Sequence, residues 1–265
     1  MASAAVADTL RGLKCQVRIV GALLMRELKT RFGRENVGYL WLFLEPAMLA
    51  TGVSTVHSFM QLHLPPGMRV APFYISGYTS FVVFRSVTNR SASTVSSNST
   101  LLHHRNITIP DLLIARCLLD VAASLTCCMF LLLVVQFFGW GELPKAPLVF
   151  ITGWSLLAWF CFGLGAVILA VAIRYPTIDR FVHPAGYLML PVSGAFSCFE
   201  ELSPIYRYVV SWVPLAHTIE MVREGTFGFT SHYTNVPYVV AWSAGLTLVG
   251  LAGLRSARKH VNLAL

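Results

Sequence analysis

The chain has 265 residues, of which 55% are hydrophobic and 12% charged, and its mean hydropathy is +0.64. Soluble domains carry about 25% charged and about 45–50% apolar residues. This composition therefore excludes a soluble domain, a disordered chain and a secreted disulfide scaffold, and leaves an integral membrane protein. The net charge of +8, from 20 Lys and Arg against 12 Asp and Glu, fits basic residues gathered on the cytoplasmic side of a membrane rather than a nucleic-acid partner.

At about 20 apolar residues per helical span, the length accommodates roughly six spans with their connections. The chain 1–265 is expected to form a single transmembrane domain, with no room for a separate soluble one. Of the six cysteines, all but Cys15 fall in or beside apolar runs, and there is no C-x-x-C. They read as small buried apolar residues, neither a metal set nor a disulfide framework. The opening residues lack a secretory signal pattern.

Residues 8–34 predict an amphipathic helix. Leu10, Leu13, Val17, Val20, Leu24 and Leu28 recur at a spacing of three or four, with Arg11, Lys14 and Arg18 on another face. Such a helix suits the plane of a membrane interface, drawn to anionic lipid. Spans are predicted at 37–60, 72–97, 112–140, 148–173, 181–199 and 236–254. The first opens Gly-Tyr-Leu-Trp, with aromatics at headgroup level, and contains Glu45 and Pro46. The second becomes rich in Ser and Thr beyond Arg85, so its lower half cannot face lipid. It faces protein or a water-filled path, or leaves the membrane as a long helix.

A polar turn around His103-His104-Arg105-Asn106 precedes the third span, with Pro110 near the helix start. Residues 203–225 are broken by Pro204 and Pro214 and carry Arg207, His217, Glu220, Arg223 and Glu224. This predicts two short re-entrant helices, since broken backbone is tolerated at membrane depth only inside protein or a cavity. Six spans put both termini on one side. With that side cytoplasmic, the inner segments hold fourteen Lys and Arg and the outer segments four, Arg69, Lys145, Arg207 and Arg223. That asymmetry sets the orientation.

Chemistry-bearing motifs are few. No G-x-x-x-x-G-K-[ST] occurs, so no P-loop nucleotide site is expected. His217 and Glu220 lie one helical turn apart, and Arg223 continues their face. They read as an ion-pair and hydrogen-bond cluster that pins the re-entrant helix, with a metal pair as the weaker alternative because no second ligand set is visible. Arg85 inside an apolar stretch must meet a partner or water. Two readings stay open for it: an ion pair with Glu45, or a guanidinium lining a path for an anionic substrate.

Two strings carry a resemblance. Arg26-Glu-Leu-Lys-Thr-Arg-Phe-Gly33, with Gly38-Tyr-Leu-Trp41 and Leu44-Glu45-Pro46, resembles the opening of permease subunits of ATP-binding-cassette polysaccharide exporters. Trp212-x-Pro214-Leu-x-His217-x-x-Glu220-x-x-Arg223-Glu224-Gly225 resembles their second marker, before the last span. The capsular-polysaccharide branch is the nearest match, and the likeness covers essentially the whole chain. It implies a homodimer with two ATPase subunits and a channel at the dimer interface for a lipid-linked polysaccharide. ATP and magnesium would sit on the ATPase, with no cofactor or metal on this chain. A periplasmic export component is a further candidate partner.

The resemblance places ATPase contacts at Arg26, Glu27, Arg31, Leu102, His103, His104, Arg105 and Asn106. The substrate path is assigned to Tyr39, Trp41, Glu45, Tyr78, Phe84, Arg85 and Asn89. The implied location is the bacterial inner membrane. Other cargoes, such as O-antigen, teichoic acid or a small lipophilic compound, remain alternatives. A membrane-embedded enzyme using His217 and Glu220 as acid–base groups is a further alternative that lacks a nucleophile.

Overall fold

A computed structural model describes residues 2–32, 38–60, 64, 67–98 and 108–264, and every regular element among them is helical. They are α1 (Ala2–Phe32), α2 (Gly38–Met60), α3 (Val70–Ala92), α4 (Ile109–Phe137), α5 (Pro147–Arg174), α6 (Asp179–Val192), α7 (Pro204–Ser211), α8 (Pro214–Phe227) and α9 (Val236–Ala264). Prolines stand in the first turns of α4, α5, α7 and α8, where the missing N–H would have had no helical partner. Among the described residues, three stretches are long and apolar enough to cross a membrane, Ile109–Phe137, Pro147–Arg174 and Val236–Ala257.

Two elements end five or more residues earlier than the hydropathy predicts. α3 stops at Ala92 and gives way to a turn and a 3₁₀ turn at Ser96–Asn98. The reason is local. Thr94 Oγ1 donates to the Arg90 carbonyl at 2.9 Å, Ser97 Oγ to the Ser93 carbonyl at 2.6 Å, and Asn98 Nδ2 to the Thr94 carbonyl at 3.0 Å. Such side chains compete with the helical ladder. α6 covers 14 residues and contains Pro184 and Pro191, so it is about 21 Å long rather than one span over 181–199. Beyond it the chain turns at Gly194, whose φ of 75° favours glycine.

The packing inverts that of a soluble protein. Ser76, Thr79, Ser80, Thr88 and Ser91 of α3 are buried, while Leu118, Phe130, Leu133 and Phe137 of α4 and Leu248 and Val249 of α9 are exposed. α3 lies in the middle, against α2, α4, α5, α6 and α8. Its side chains Tyr78, Phe81, Val83 and Phe84 join Leu132, Leu157, Cys161, Leu215 and Ile219 in the main core. α1 packs on α4 through Leu23, Leu112 and Ala115, flanked by Ile19, Val20 and Leu24. Val17, expected on the apolar stripe, is exposed.

α8 is buried along nearly its whole length and approaches α5 very closely. A Cβ added at Gly225 would stand 2.3 Å from the Phe150 backbone nitrogen, so backbone would have to move. Lys145 N–H and Ala146 N–H donate to the Thr226 and Gly225 carbonyls at 3.2 and 2.9 Å, tying the α4–α5 link to the end of α8. In that link the Lys145 ammonium beside Glu142 holds the exposed carboxyl below the usual carboxylate range.

Gly225→Ala should therefore destabilise the fold by about 1–3 kcal/mol, as overpacking does. At about 2–4 °C per kcal/mol for a chain of this size, thermal melting of the detergent-purified protein reads the effect. An unchanged Tm would contradict the close approach of α8 to α5.

Candidate functional site

Arg85 connects three helices. Its guanidinium donates to Glu45 of α2 and lies 5.6 Å from the ring centroid of Tyr187 on α6. The ion pair is thus the reading the geometry supports. The pair is not sealed: the Arg85 side chain is 17% exposed and that of Glu45 37%, and Tyr187 is exposed. Asn89, one turn along α3, has a buried Oδ1 with no hydrogen-bond partner among the described residues.

The other expected path residues are placed differently. Tyr78 is buried and stacks on Phe196 with centroids 6.2 Å apart. Phe84 is buried too and borders a cavity of about 670 Å³ that is also lined by Met189, Trp212, Trp242 and Leu246. Within the single chain both rings are packed in the core, with the Tyr78 hydroxyl beside Arg85 and Phe84 at the edge of that cavity. The side chains of Tyr39, Trp41 and Arg31 lie outside the described residues, as do Leu102, His103, His104, Arg105 and Asn106.

The α8 cluster divides in two. Arg223 is 0% exposed. It donates to the Ser197 carbonyl at 2.6 Å and the Ala195 carbonyl at 2.5 Å, and stands 3.5 Å from Glu220 Oε2. Its guanidinium covers the Phe73 ring at 4.0 Å, a cation–π contact. Gly77 makes room for it, because a Cβ there would come 2.5 Å from the guanidinium. Cys198 Sγ donates to the second Glu220 oxygen at 2.9 Å. Arg223 and Glu220 together hold the turn after α6 against α3 and α8.

His217 stands apart from that pair. Its Nε2 donates to the Ser211 carbonyl at 2.8 Å, and its Nδ1 accepts from the Asn235 N–H at 3.4 Å. That pattern assigns the neutral ring with its proton on Nε2. The ring stacks on Phe199 at 5.1 Å and meets Tyr238 edge-on at 5.5 Å. His217 therefore ties α7 and α9 to α8, and shares no ligand position with Glu220. Among the described residues, no group of three His, Cys, Asp or Glu could hold a metal ion.

Arg26 and Glu27, expected at an ATPase contact, are engaged within the chain. Arg26 donates to Asn98 Oδ1 at 2.8 Å, and Glu27 accepts from Arg116 Nε at 3.1 Å. Arg116 and Tyr187 are the residues that sequence reasoning missed. Arg116 carries a usable signal, a charge at the head of an apolar span. Tyr187 carries none, since an aromatic in an apolar segment is ordinary core.

The Glu45–Arg85 pair predicts a swap experiment. Removing either partner leaves the other charge partly buried, which costs about 3–5 kcal/mol when burial is complete and less here. Glu45→Ala and Arg85→Ala should each assemble poorly in the membrane. Glu45→Arg combined with Arg85→Glu should recover much of the loss, read by folded protein in detergent. Additive losses in the double variant would contradict the pairing.

Residues 18–227 match the family model described as ABC-2 type transporter, from within α1 to the end of α8. The chain is 33% identical over 254 residues to the capsule polysaccharide export inner-membrane protein CtrC of Neisseria meningitidis, with 96% of each chain covered. It is 32% identical over 253 residues to the capsule polysaccharide export inner-membrane protein BexB of Haemophilus influenzae, covering 95% of this chain and 96% of the relative. To the polysialic acid transport protein KpsM of Escherichia coli it is 27% identical over 247 residues, 92% of this chain and 95% of the relative. With all but the ends of the described fold inside the family match, and similarity continuing over nearly the full length, this chain belongs to the ABC-2 type transporter family.

Proposed function

We propose that this chain is the membrane permease of an ATP-driven exporter that moves lipid-linked capsular polysaccharide across the bacterial inner membrane. The observation that carries this reading is the near full-length similarity to inner-membrane proteins named for capsule polysaccharide export. Family membership supports a permease role in place of enzymatic chemistry on this chain. The sequence holds no P-loop, so hydrolysis belongs to two partner ATPase subunits that carry ATP and magnesium.

Two copies of the chain form the transport unit, with the glycan passing at their interface. The half-open Glu45–Arg85 pair and the exposed Tyr187 suit that surface. An arginine can approach an anionic glycan or a phosphate-bearing anchor, and an aromatic ring can pack on a sugar face. α1 and the segment 99–107 form the cytoplasmic contact with the ATPase. The chain crosses the membrane six times, with α7 and α8 as a re-entrant pair on the outer side. The burial of α8 supports this, since a broken helix survives at membrane depth only within protein.

Deleting the gene for this chain, with its ATPase left intact, should remove capsular polysaccharide from the cell surface and leave it inside. Surface glycan at the parental level would overturn the reading. Topology is tested separately. In a cysteine-free background, Arg258→Cys should resist an impermeant thiol reagent in intact cells and react after permeabilisation, whereas a cysteine at position 143 should react from outside. Labelling of position 258 in intact cells would overturn the proposed orientation.

A further inference from the structure

The described ends of the segment 99–107 are both tied to α1. On the entering side, Arg26 donates to Asn98 at 2.8 Å. On the leaving side, Gln16 donates to Asp111, whose other oxygen accepts from the Thr108 N–H at 2.9 Å and so also caps α4. Gln16 and Arg26 lie about 15 Å apart along the helix.

Beside the Arg26 tie stands Arg116 of α4. Its Nε donates to Glu27 of α1 at 3.1 Å. One terminal nitrogen donates to the Arg90 carbonyl at 3.3 Å and to Thr94 Oγ1 at 3.2 Å, and the other to Ser97 Oγ at 2.9 Å. One planar fork thus joins α1, the end of α3 and the turn before the segment, from a base on α4. The side chains of Arg116 and Glu27 are 14% and 15% exposed, so water screens the pair only partly. Beside it, the apolar contact of Leu23 with Leu112 and Ala115 is non-directional and does not by itself hold a register.

We infer that Arg116 is a positioning residue that makes α1, the 93–98 turn and the start of α4 one rigid unit, so that force applied to α1 or to the segment 99–107 is delivered to the spans. This rests on the proposed ATPase contact. In its absence, the Gln16–Asp111 and Arg26–Asn98 bonds and the apolar contact still dock α1, but the fork that joins α1 through α4 to the end of α3 is lost. ATP hydrolysis then continues while movement of the spans is lost. A lysine retains the charge opposite Glu27 and one or two of the bonds, but cannot span the three elements as a fork.

The test uses the whole exporter with its own ATPase, in cells and after purification. Photocrosslinking from positions 104 and 105 to the ATPase is measured first in the parent. Its failure there overturns the proposed contact, and with it this inference. With the contact present, Arg116→Ala should still co-purify with the ATPase and hydrolyse ATP within about twofold of the parent, while surface glycan per ATP hydrolysed falls about tenfold, the scale of a typical coupling free energy. Arg116→Lys should fall between the two. Unchanged glycan per ATP in a stably assembled Arg116→Ala complex overturns the inference, as does a parallel fall of hydrolysis and export.

Should Arg116→Ala fail to assemble, a second variant decides. Arg26→Cys and Asn98→Cys in a cysteine-free background, joined by a short bismaleimide, lock one tie covalently. Export that survives the lock supports a single rigid unit. Export lost on cross-linking, with intact assembly, means that α1 and the turn must separate, and overturns it.

Discussion

The burial of α3 is the constraint on which the other contacts depend. A helix that carries Arg85, Asn89 and Arg90 beside Ser76, Thr79, Ser80, Thr88 and Ser91 is poorly suited to lipid, where charged and amide side chains are costly. Its hydroxyls instead donate to the carbonyls four residues earlier, at 2.6–2.8 Å. With these five hydroxyls satisfied within the helix, that part of α3 can be surrounded by other helices without water. The apolar faces of α4, α5 and α9 then remain for the bilayer.

Charges inside this frame act by position. Arg223 has no access to water, and carbonyls from the turn after α6 accept from it. A guanidinium held this way adds little net stability compared with an apolar side chain of equal volume, but leaving it without its acceptors would be severe. Its effect is to specify one arrangement of α8 against the turn. Arg85 differs because Glu45 and Tyr187 leave it partly open. One arginine is sealed and architectural; the other is paired but partly open to the surface.

The end that carries α1 follows a related logic. Arg26 and Glu27 carry the resemblance to the family opening, yet both turn inward to Asn98 and Arg116. A motif residue can serve by holding its own helix in place. The basic residues of α1 left exposed are Lys14, Arg18 and Lys29 among those with described side chains.

The sequence by itself determined the class of molecule and its family. Composition excludes a soluble fold through the transfer free energy of apolar side chains, a property of residues one at a time. The prolines at 204 and 214 marked two short helices because a missing N–H acts locally. The strings at 26–46 and 212–225 pointed to the transporter family. Tertiary structure alone decided what each polar side chain meets. Glu45 and Arg85 are 40 residues apart, and Glu27 and Arg116 are 89 apart. Hydropathy has no means of stating the distance between two helices or the rotation of each about its axis. That is why Arg85 remained divided between a partner and a channel, and why the burial of Tyr78 and Phe84 within the single chain was not legible in the sequence. It is also why His217 and Glu220, one turn apart on a single helix, were grouped although they bond in different directions.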